Sequence, residues 1–206
     1  MKVLLVNGSS HRNGCTYTAL EEVAIALNKE DIETEIFQLG NPEIRDCCGC
    51  KACKQIGKCV YDDIVNVFVE KAREFDGFVF GTPVYYAHPA GRILSFMDRA
   101  FYSGGSAFAF KPAAAIASAR RSGTTASFDV LNKYFTINNM PVISSCYWNN
   151  IHGNMQEEAR RDEEGLQTMR TLGRNMAWIL KCIETGRKMG ITRPDLEDRI
   201  HTNFIR

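Results

Sequence analysis

The sequence predicts an α/β fold in which a doubly wound, five-stranded parallel sheet carries helices on both faces. Five short apolar segments alternate along the chain with five segments of helical periodicity, which is typical of a parallel sheet. Right-handed crossovers between successive strands then favour a doubly wound arrangement. The chain has 206 residues, of which 45% are hydrophobic, and this is enough for one such domain with a sizeable core.

The strands are predicted from short apolar runs that end at turn residues. They cover residues 3–6, 33–39, 77–81, 112–118 and 141–145. The helices are predicted from apolar residues that recur at helical spacing, as Leu20, Val23 and Leu27 do. They cover residues 16–28, 62–74, 89–101, 123–138 and 156–184. In a sheet of this kind, a ligand lies outside the carboxyl ends of the strands.

The chain divides into one domain and a short tail. Residues 1–185 contain all of the predicted strands and helices, whereas residues 186–206 are polar with scattered apolar side chains. We expect the tail either to pack on a partner subunit as an oligomer arm or to form a solvated terminus.

Charge and cysteine content limit the classes of function. The net charge is +1, from 25 basic and 24 acidic side chains, so neither nucleic-acid binding nor a polybasic membrane anchor is expected. No stretch has the length of a spanning helix, and the first apolar run is too short for a secretory signal, so we expect a cytoplasmic protein. Five of the eight cysteines lie within residues 47–59, which in a reducing compartment indicates metal binding or redox chemistry.

A loop of small and hydroxyl residues joins the first predicted strand to the first helix. It reads Asn7-Gly8-Ser9-Ser10-His11-Arg12-Asn13-Gly14-Cys15-Thr16. Backbone N–H groups and the positive end of the helix dipole suit such a loop to a phosphate. The hydroxyls of Ser9 and Thr16 and the amide of Asn13 can donate to it, and His11 or Arg12 can supply charge. The alternative is an ordinary turn in which Thr16 is the helix N-cap.

This loop resembles that of the NADPH-dependent FMN reductase and iron–sulfur flavoprotein families of the flavodoxin-like superfamily. Their loop reads Gly-Ser-Pro-Arg-x-x-Gly-Asn/Ser-Thr, and here Ser10, His11 and Cys15 replace the proline, the arginine and the usual polar residue. The resemblance extends over residues 1–185 and implies a flavodoxin-like fold that binds FMN. It also implies that the FMN phosphate is held by Ser9, His11, Asn13, Cys15 and Thr16.

The most specific part of the resemblance follows the third predicted strand. The family pattern is Pro-x-Tyr and then a helix that ends in Asp-Arg, which here are Pro83-Val84-Tyr85 and Asp98-Arg99. A flavin ring needs an aromatic or apolar wall and backbone donors, and Pro83, Val84, Tyr85 and Tyr86 can supply both. The alternative is that the tyrosines pack on the core. The Asp-Arg pair is interpreted as structural.

The resemblance places the loop after the fourth predicted strand along the other side of the ring. The ring gains negative charge on reduction, so nearby donors or cations favour its reduced state. The residues expected there are Ala119, Arg120, Gly123 and Thr124. We expect one of Arg120 and Arg121 near the ring or the phosphates of NAD(P)H and the other on the surface. The alternative is that both arginines face solvent.

The cysteine spacing is the second strong motif. Cys47, Cys50, Cys53 and Cys59 are separated by two, two and five residues. Four thiolates at this spacing can hold one cubane cluster or one zinc ion, and the third alternative is a lid of unligated thiols over the flavin. The resemblance implies a 4Fe–4S cluster on these four cysteines, with Cys48 as a spare.

Two further interpretations come from residues outside these loops. Asp62 and Asp63 open a predicted helix and are interpreted as caps rather than metal ligands. Cys146 and Cys182 are interpreted as buried packing residues.

The resemblance implies an FMN-dependent NAD(P)H oxidoreductase that passes electrons to a small acceptor, namely a quinone, a flavin, a nitro compound or a metal ion. The alternative is an iron–sulfur flavoprotein that carries electrons for a ferredoxin-like partner. Members of these families commonly assemble, so a homodimer or homotetramer is expected.

Overall fold

A single parallel sheet organises the computed structural model, which describes residues 1–198, 200–202, 204 and 205. The strands are β1 (Lys2–Asn7), β2 (Glu33–Gln38), β3 (Gly77–Pro83), β4 (Ala113–Ala119) and β5 (Asn150–His152). The helices are α1 (Cys15–Asn28), α2 (Cys53–Ile56), α3 (Ile64–Ala72), α4 (Gly91–Gly104), α5 (Thr124–Ile137), α6 (Gln156–Ala159) and α7 (Glu163–Lys188). A short 3₁₀ helix, Gly105–Ala107, follows α4.

The strand order is β2-β1-β3-β4-β5, and every neighbouring pair is parallel. This is the order of the flavodoxin-like doubly wound sheet. The predicted fold class is therefore confirmed. Because the winding reverses between β1 and β3, the loops after these two strands diverge and leave a cleft at the carboxyl edge.

Two apolar layers cover the two faces of the sheet. On one face, α1 and α7 pack through buried residues such as Leu20, Val23 and Leu172. On the other face, the buried rings of Phe68 on α3 and Phe96 on α4 lie with their centroids 4.8 Å apart. In the described part of the chain, no helix is both long enough and apolar enough to span a bilayer.

The fifth strand lies later in the chain than predicted. Within the predicted segment 141–145, Val142 forms only an isolated bridge to Ala113, and β5 begins at Asn150. The buried Asn149 side chain explains the difference, because its Nδ2 donates to the Ala115 carbonyl of β4 at 3.0 Å. That side-chain bond occupies a carbonyl of β4. The segment between Val142 and Asn149 therefore loops out of the sheet.

The long helix predicted over residues 156–184 is two helices, α6 and α7. Asp162 causes the break, because its Oδ1 accepts from the Gly165 N–H at 2.9 Å and so caps α7. Its Oδ2 also accepts from the His152 N–H, which ties the new helix start to β5. The one-turn helix α2 lies within the cysteine segment, where no helix was predicted.

The tail begins after α7, which ends at Lys188. Its described residues form neither helix nor strand, and Ile200 and Phe204 are more than 90% exposed. The Arg193 guanidinium lies over the Phe110 ring, 5.6 Å from its centroid. A role as an oligomer arm stays a prediction, and Arg199, Asn203 and Arg206 of the predicted tail lie outside the described residues.

β1 and β3 make a close backbone contact where the first loop leaves the sheet. The Gly8 N–H donates to the Gly81 carbonyl at 2.9 Å. A Cβ atom at Gly8 would lie 2.7 Å from that oxygen and 3.0 Å from the Ile93 side chain. A Cβ atom at Gly81 would lie 2.9 Å from Thr16 Cγ2. The two glycines therefore let two strands and two helices meet at one point.

We expect Gly8→Ala to lower the free energy of unfolding by about 1–3 kcal/mol, because the new methyl group overpacks this contact. The matched control is Gly91→Ala, where no described atom beyond the neighbouring residues and its own helix backbone lies within 4 Å. That control should stay within about 0.5 kcal/mol of wild type. Urea unfolding measures both, and equal losses in the two variants would contradict the close contact.

Candidate functional site

A cleft of about 600 Å³ opens at the carboxyl edge of the sheet, where the loops after β1, β3 and β4 meet. Its volume is in the range of small-molecule and cofactor sites. Ten of the thirteen residues predicted to bind the cofactor line it, namely Ser9, His11, Asn13, Cys15, Thr16, Pro83, Val84, Tyr85, Ala119 and Arg120. The parallel sheet brings these three distant stretches of sequence to one place.

The other three predicted residues do not line the cleft. Tyr86 is fully exposed to solvent. Gly123 has a φ of +92° and lies close to Val84. A Cβ atom added at Gly123 would lie 2.9 Å from Val84 Cγ1. Thr124 is buried at the start of α5. Gly123 therefore packs the loop after β4 against the loop after β3, behind the wall of the cleft.

The loop after β1 is held in shape by two amide side chains. Asn7 is fully buried, accepts from the Ser9 N–H at 3.1 Å and donates to the Gln38 side chain at 2.6 Å. Gln38 in turn donates to the Ser9 carbonyl at 2.8 Å. The Ser9 hydroxyl accepts from the His11 N–H at 3.1 Å. The loop is therefore preorganised by the ends of β1 and β2.

The first turn of α1 faces the cleft. Its N-cap is Gly14 rather than Thr16, and no described side chain caps the helix. No acidic residue lies in the first turn. The Thr16 hydroxyl shares a hydrogen bond of 2.7 Å with that of Ser118 at the end of β4. The N–H groups of the first turn and the helix dipole therefore make this end of the cleft suitable for an anion.

Tyr85 spans the cleft from the loop after β3 to the loop after β1. Its hydroxyl forms hydrogen bonds with Ser10 at 2.9 Å and Ser9 at 3.5 Å. Burial alone would raise the pKa of Tyr85, but the hydrogen bonds with the Ser10 and Ser9 hydroxyls outweigh it and lower that pKa. The ring is therefore fixed by its polar tip, while its face stays available for contact with a planar ligand.

Cys15 links the loop after β1 to the segment after β5. Its thiol donates to the carbonyls of Gly153 and Met155 at 3.2 and 3.3 Å. Burial raises the pKa of Cys15, and the carboxylates of Glu158 and Glu157 raise it further. The thiol is therefore held as a neutral donor at the edge of the cleft.

A second, smaller cavity is lined by five cysteines. Its wall includes the four predicted metal ligands, Cys47, Cys50, Cys53 and Cys59, together with Cys48, Tyr61, Arg99 and Tyr102. The Tyr61 hydroxyl donates to the Cys48 sulfur and lowers the pKa of that thiol. Among the described residues, none of these cysteines lines the cleft, so the interpretation as a lid over the flavin is not supported.

The donor set of this cavity fits an iron–sulfur cluster. Thiols are the metal-ligating groups of the described lining, which includes no histidine or carboxylate, and cubane clusters are held by four thiolates. Within the described residues, no three such side chains converge closely enough to hold a single metal ion. Four thiolates can also form a zinc site, so the cubane cluster and the zinc ion both stay predictions for this cavity.

The other residues interpreted from the sequence have different outcomes in the structure. Asp63 caps α3, because its Oδ1 accepts from the Val65 N–H at 3.0 Å, which confirms it as a cap. Asp98 accepts from the Tyr134 hydroxyl, and neither it nor Arg99 lines the cleft. The interpretation of Cys146 and Cys182 as buried was wrong, because both are exposed.

Comparison with known proteins agrees with this geometry. Residues 1–154 match a family described as NADPH-dependent FMN reductase. The chain belongs to this family. It is 30% identical over 195 residues to an iron–sulfur flavoprotein of Methanocaldococcus jannaschii, covering 89% of this chain and 100% of that one. It is also 26% identical over 193 residues to an iron–sulfur flavoprotein of Methanosarcina thermophila, covering 91% of this chain and 99% of the relative.

A solved structure gives an independent comparison for the fold of this chain. A flavodoxin from the domain Archaea superposes with a TM-score of 0.61 at 16% identity, over 88% of this chain and 99% of that one. At this identity the likeness concerns the fold alone. It agrees with the fold class.

Sequence reasoning missed one wall of the cleft. Ser118 and Gly14 lie beside residues that were predicted, but the segment from Gly153 to Glu157 was not assigned to the site. The residues after the predicted fifth strand were already expected at the carboxyl edge, but no motif marked the stretch that follows the true strand end at His152. The Asn149-Asn150 pair, directly before the buried Ile151, was the available signal for the position of β5.

We expect Cys15 of this FMN reductase family member to resist alkylation. The thiolate is the reactive form, and a raised pKa leaves less of it at a given pH, so labelling should begin only at higher pH. The exposed Cys182 is the control. Iodoacetamide labelling at about pH 8, near the ordinary cysteine pKa, with peptide mass spectrometry should modify Cys182 several-fold faster. Equal rates would contradict the two hydrogen bonds of Cys15.

Proposed function

We propose that this chain is an FMN-dependent NAD(P)H oxidoreductase that passes electrons to a small acceptor such as a quinone, a flavin, a nitro compound or a metal ion. The observation that carries the proposal is the single cleft formed by the loops after β1, β3 and β4. FMN supplies the redox chemistry when it is bound, and the protein supplies binding, orientation and electrostatics.

The phosphate of FMN would be held at the first turn of α1. The uncapped N–H groups there and the preorganised loop around Ser9 support this position. The hydroxyl of Thr16 and the amide of Asn13 line the same end of the cleft. Because Cys15 donates to two backbone carbonyls, its role is to hold the segment after β5 in place rather than to contact the phosphate.

The ring of FMN would lie between the loops after β3 and β4. Tyr85 provides an aromatic surface in the cleft wall, and the exposed Arg120 lines the same cleft. A positive charge at that position favours a ligand that becomes more negative on reduction. Arg120 and Arg121 are both exposed, and among the described residues only Arg120 of the two lines the cleft, so a place for Arg120 near the ring stays a prediction.

A tyrosine pair tests the position of the ring. Tyr85→Ala should weaken FMN binding by about tenfold, because base–aromatic stacking contributes about 1–3 kcal/mol. Tyr86→Ala is the matched control, since Tyr86 is exposed outside the cleft, and it should leave the affinity unchanged. Quenching of flavin fluorescence gives both dissociation constants. Equal affinities of the two variants would place the ring elsewhere.

An arginine pair tests the use of NAD(P)H. Arg120→Ala should raise the KM for NADPH by about tenfold, the scale of one charge-assisted hydrogen bond. Arg121→Ala should leave that KM close to the wild-type value. Steady-state oxidation of NADPH with a quinone acceptor measures both. A wild-type protein that NADPH does not reduce, although it holds FMN, would overturn the proposed enzyme.

A second candidate function is an electron carrier that holds an iron–sulfur cluster and works with a ferredoxin-like partner. The five-cysteine cavity favours it, because an enzyme that uses FMN alone needs no such donor set. Cys47, Cys50, Cys53 and Cys59 would hold the cluster, and four irons per chain are expected for a cubane. Slow reduction by NADPH with fast reduction by ferredoxin would favour the carrier over the enzyme.

A further inference from the structure

The Arg99 side chain lies buried beneath the cysteine cavity. It projects from α4 and is only 1% exposed. A buried guanidinium is costly unless its charge is paired and its five N–H groups are hydrogen-bonded. The hydrogen-bond acceptors of the Arg99 guanidinium therefore indicate the role of this side chain.

All five N–H groups of Arg99 have an acceptor. Its two terminal nitrogens donate to the Asp63 carboxylate at 2.6 and 2.8 Å, in a bidentate ion pair. The same nitrogens donate to the carbonyls of Arg45 and Tyr61, each at 3.3 Å. The remaining Nε–H donates to the Cys59 sulfur at 3.2 Å.

These acceptors lie on both sides of the cysteine motif. Arg45 precedes Cys47, whereas Cys59, Tyr61 and Asp63 close the segment. One side chain therefore ties both ends of the loop to α4. Asp63 neutralises the charge of Arg99, and the Nε–H is directed at sulfur rather than at solvent.

We propose that Arg99 is a positioning residue for the cluster: it fixes Cys59 as the fourth ligand and raises the reduction potential of the cluster through the Nε–H bond to the Cys59 sulfur. The inference rests on the cluster of the second candidate function, the electron carrier. Hydrogen bonds to the sulfurs and local charge are among the factors that set such potentials. A donor that stabilises negative charge on sulfur favours the reduced cluster, which carries one electron more.

The test compares Arg99→Lys with Arg92→Lys in full-length protein purified without oxygen. Lysine keeps a positive charge that can pair with Asp63. It lacks the planar guanidinium that donates at once to the Cys59 sulfur and to the carbonyls of Arg45 and Tyr61. Arg92 is the matched control, because it also lies on α4 and its guanidinium donates to the carbonyls of Asn41 and Pro42. In the described structure it does not line the cysteine cavity.

Iron and acid-labile sulfide are measured in each protein, and the midpoint potential is determined by a redox titration followed by electron paramagnetic resonance. We expect Arg99→Lys to lower the one-electron equilibrium constant for reduction about tenfold, which is about 59 mV. Arg92→Lys should match wild type. Loss of iron in folded Arg99→Lys alone would also support the proposal, through the positioning of Cys59.

Equal iron contents and equal potentials in all three proteins would overturn the role of Arg99 and leave the proposed cluster intact. Wild-type protein without iron would overturn the cluster itself. If Arg99→Lys does not fold, wild-type protein carrying arginine labelled with the heavy nitrogen isotope decides the question. Pulsed electron paramagnetic resonance of the reduced cluster should show coupling to a labelled guanidinium nitrogen. Absence of that coupling would overturn the proposal.

Discussion

The close contact between Gly8 and Gly81 is the constraint on which the rest of the structure depends. It brings β1 and β3 together at the point where the winding of the sheet reverses, with side chains of α1 and α4 packed around it. Because the winding reverses there, the loops that follow the two strands diverge. The loop after β1, the loop after β3 that carries Tyr85 (the Tyr85 loop) and the cleft between them are consequences of that divergence.

The helix α4 connects the cleft to the cysteine cavity. It begins at Gly91, directly after the Tyr85 loop, and carries Arg99 to the cysteine segment. At 1.5 Å per residue, these two points are separated by about 12 Å along the helix. The two proposed cofactor sites are therefore distinct, since among the described residues no lining residue is shared, yet both are fixed to one rigid element.

Most of the fold could be predicted from the sequence, because apolar periodicity and turn residues are local signals. The first four strands follow that pattern, but β5 does not, since the Asn149 side chain bonds to β4 over a long separation in sequence. In the site, the motif could not separate Tyr85 from the exposed Tyr86, because their environments depend on the turn closed by the Val84–Pro89 bridge. The hydrogen bond from Arg99 to Cys59 spans 40 residues, and no local pattern encodes it.

We propose that the cleft holds FMN by its phosphate at the start of α1. The most direct measurement is a titration of flavin-free protein with FMN and, separately, with riboflavin, followed by flavin fluorescence. We expect one FMN per chain and an affinity about 100-fold higher than that for riboflavin, because charge-assisted hydrogen bonds to the phosphate contribute about 3 kcal/mol. Equal affinities for the two flavins, or no binding of either, would contradict it.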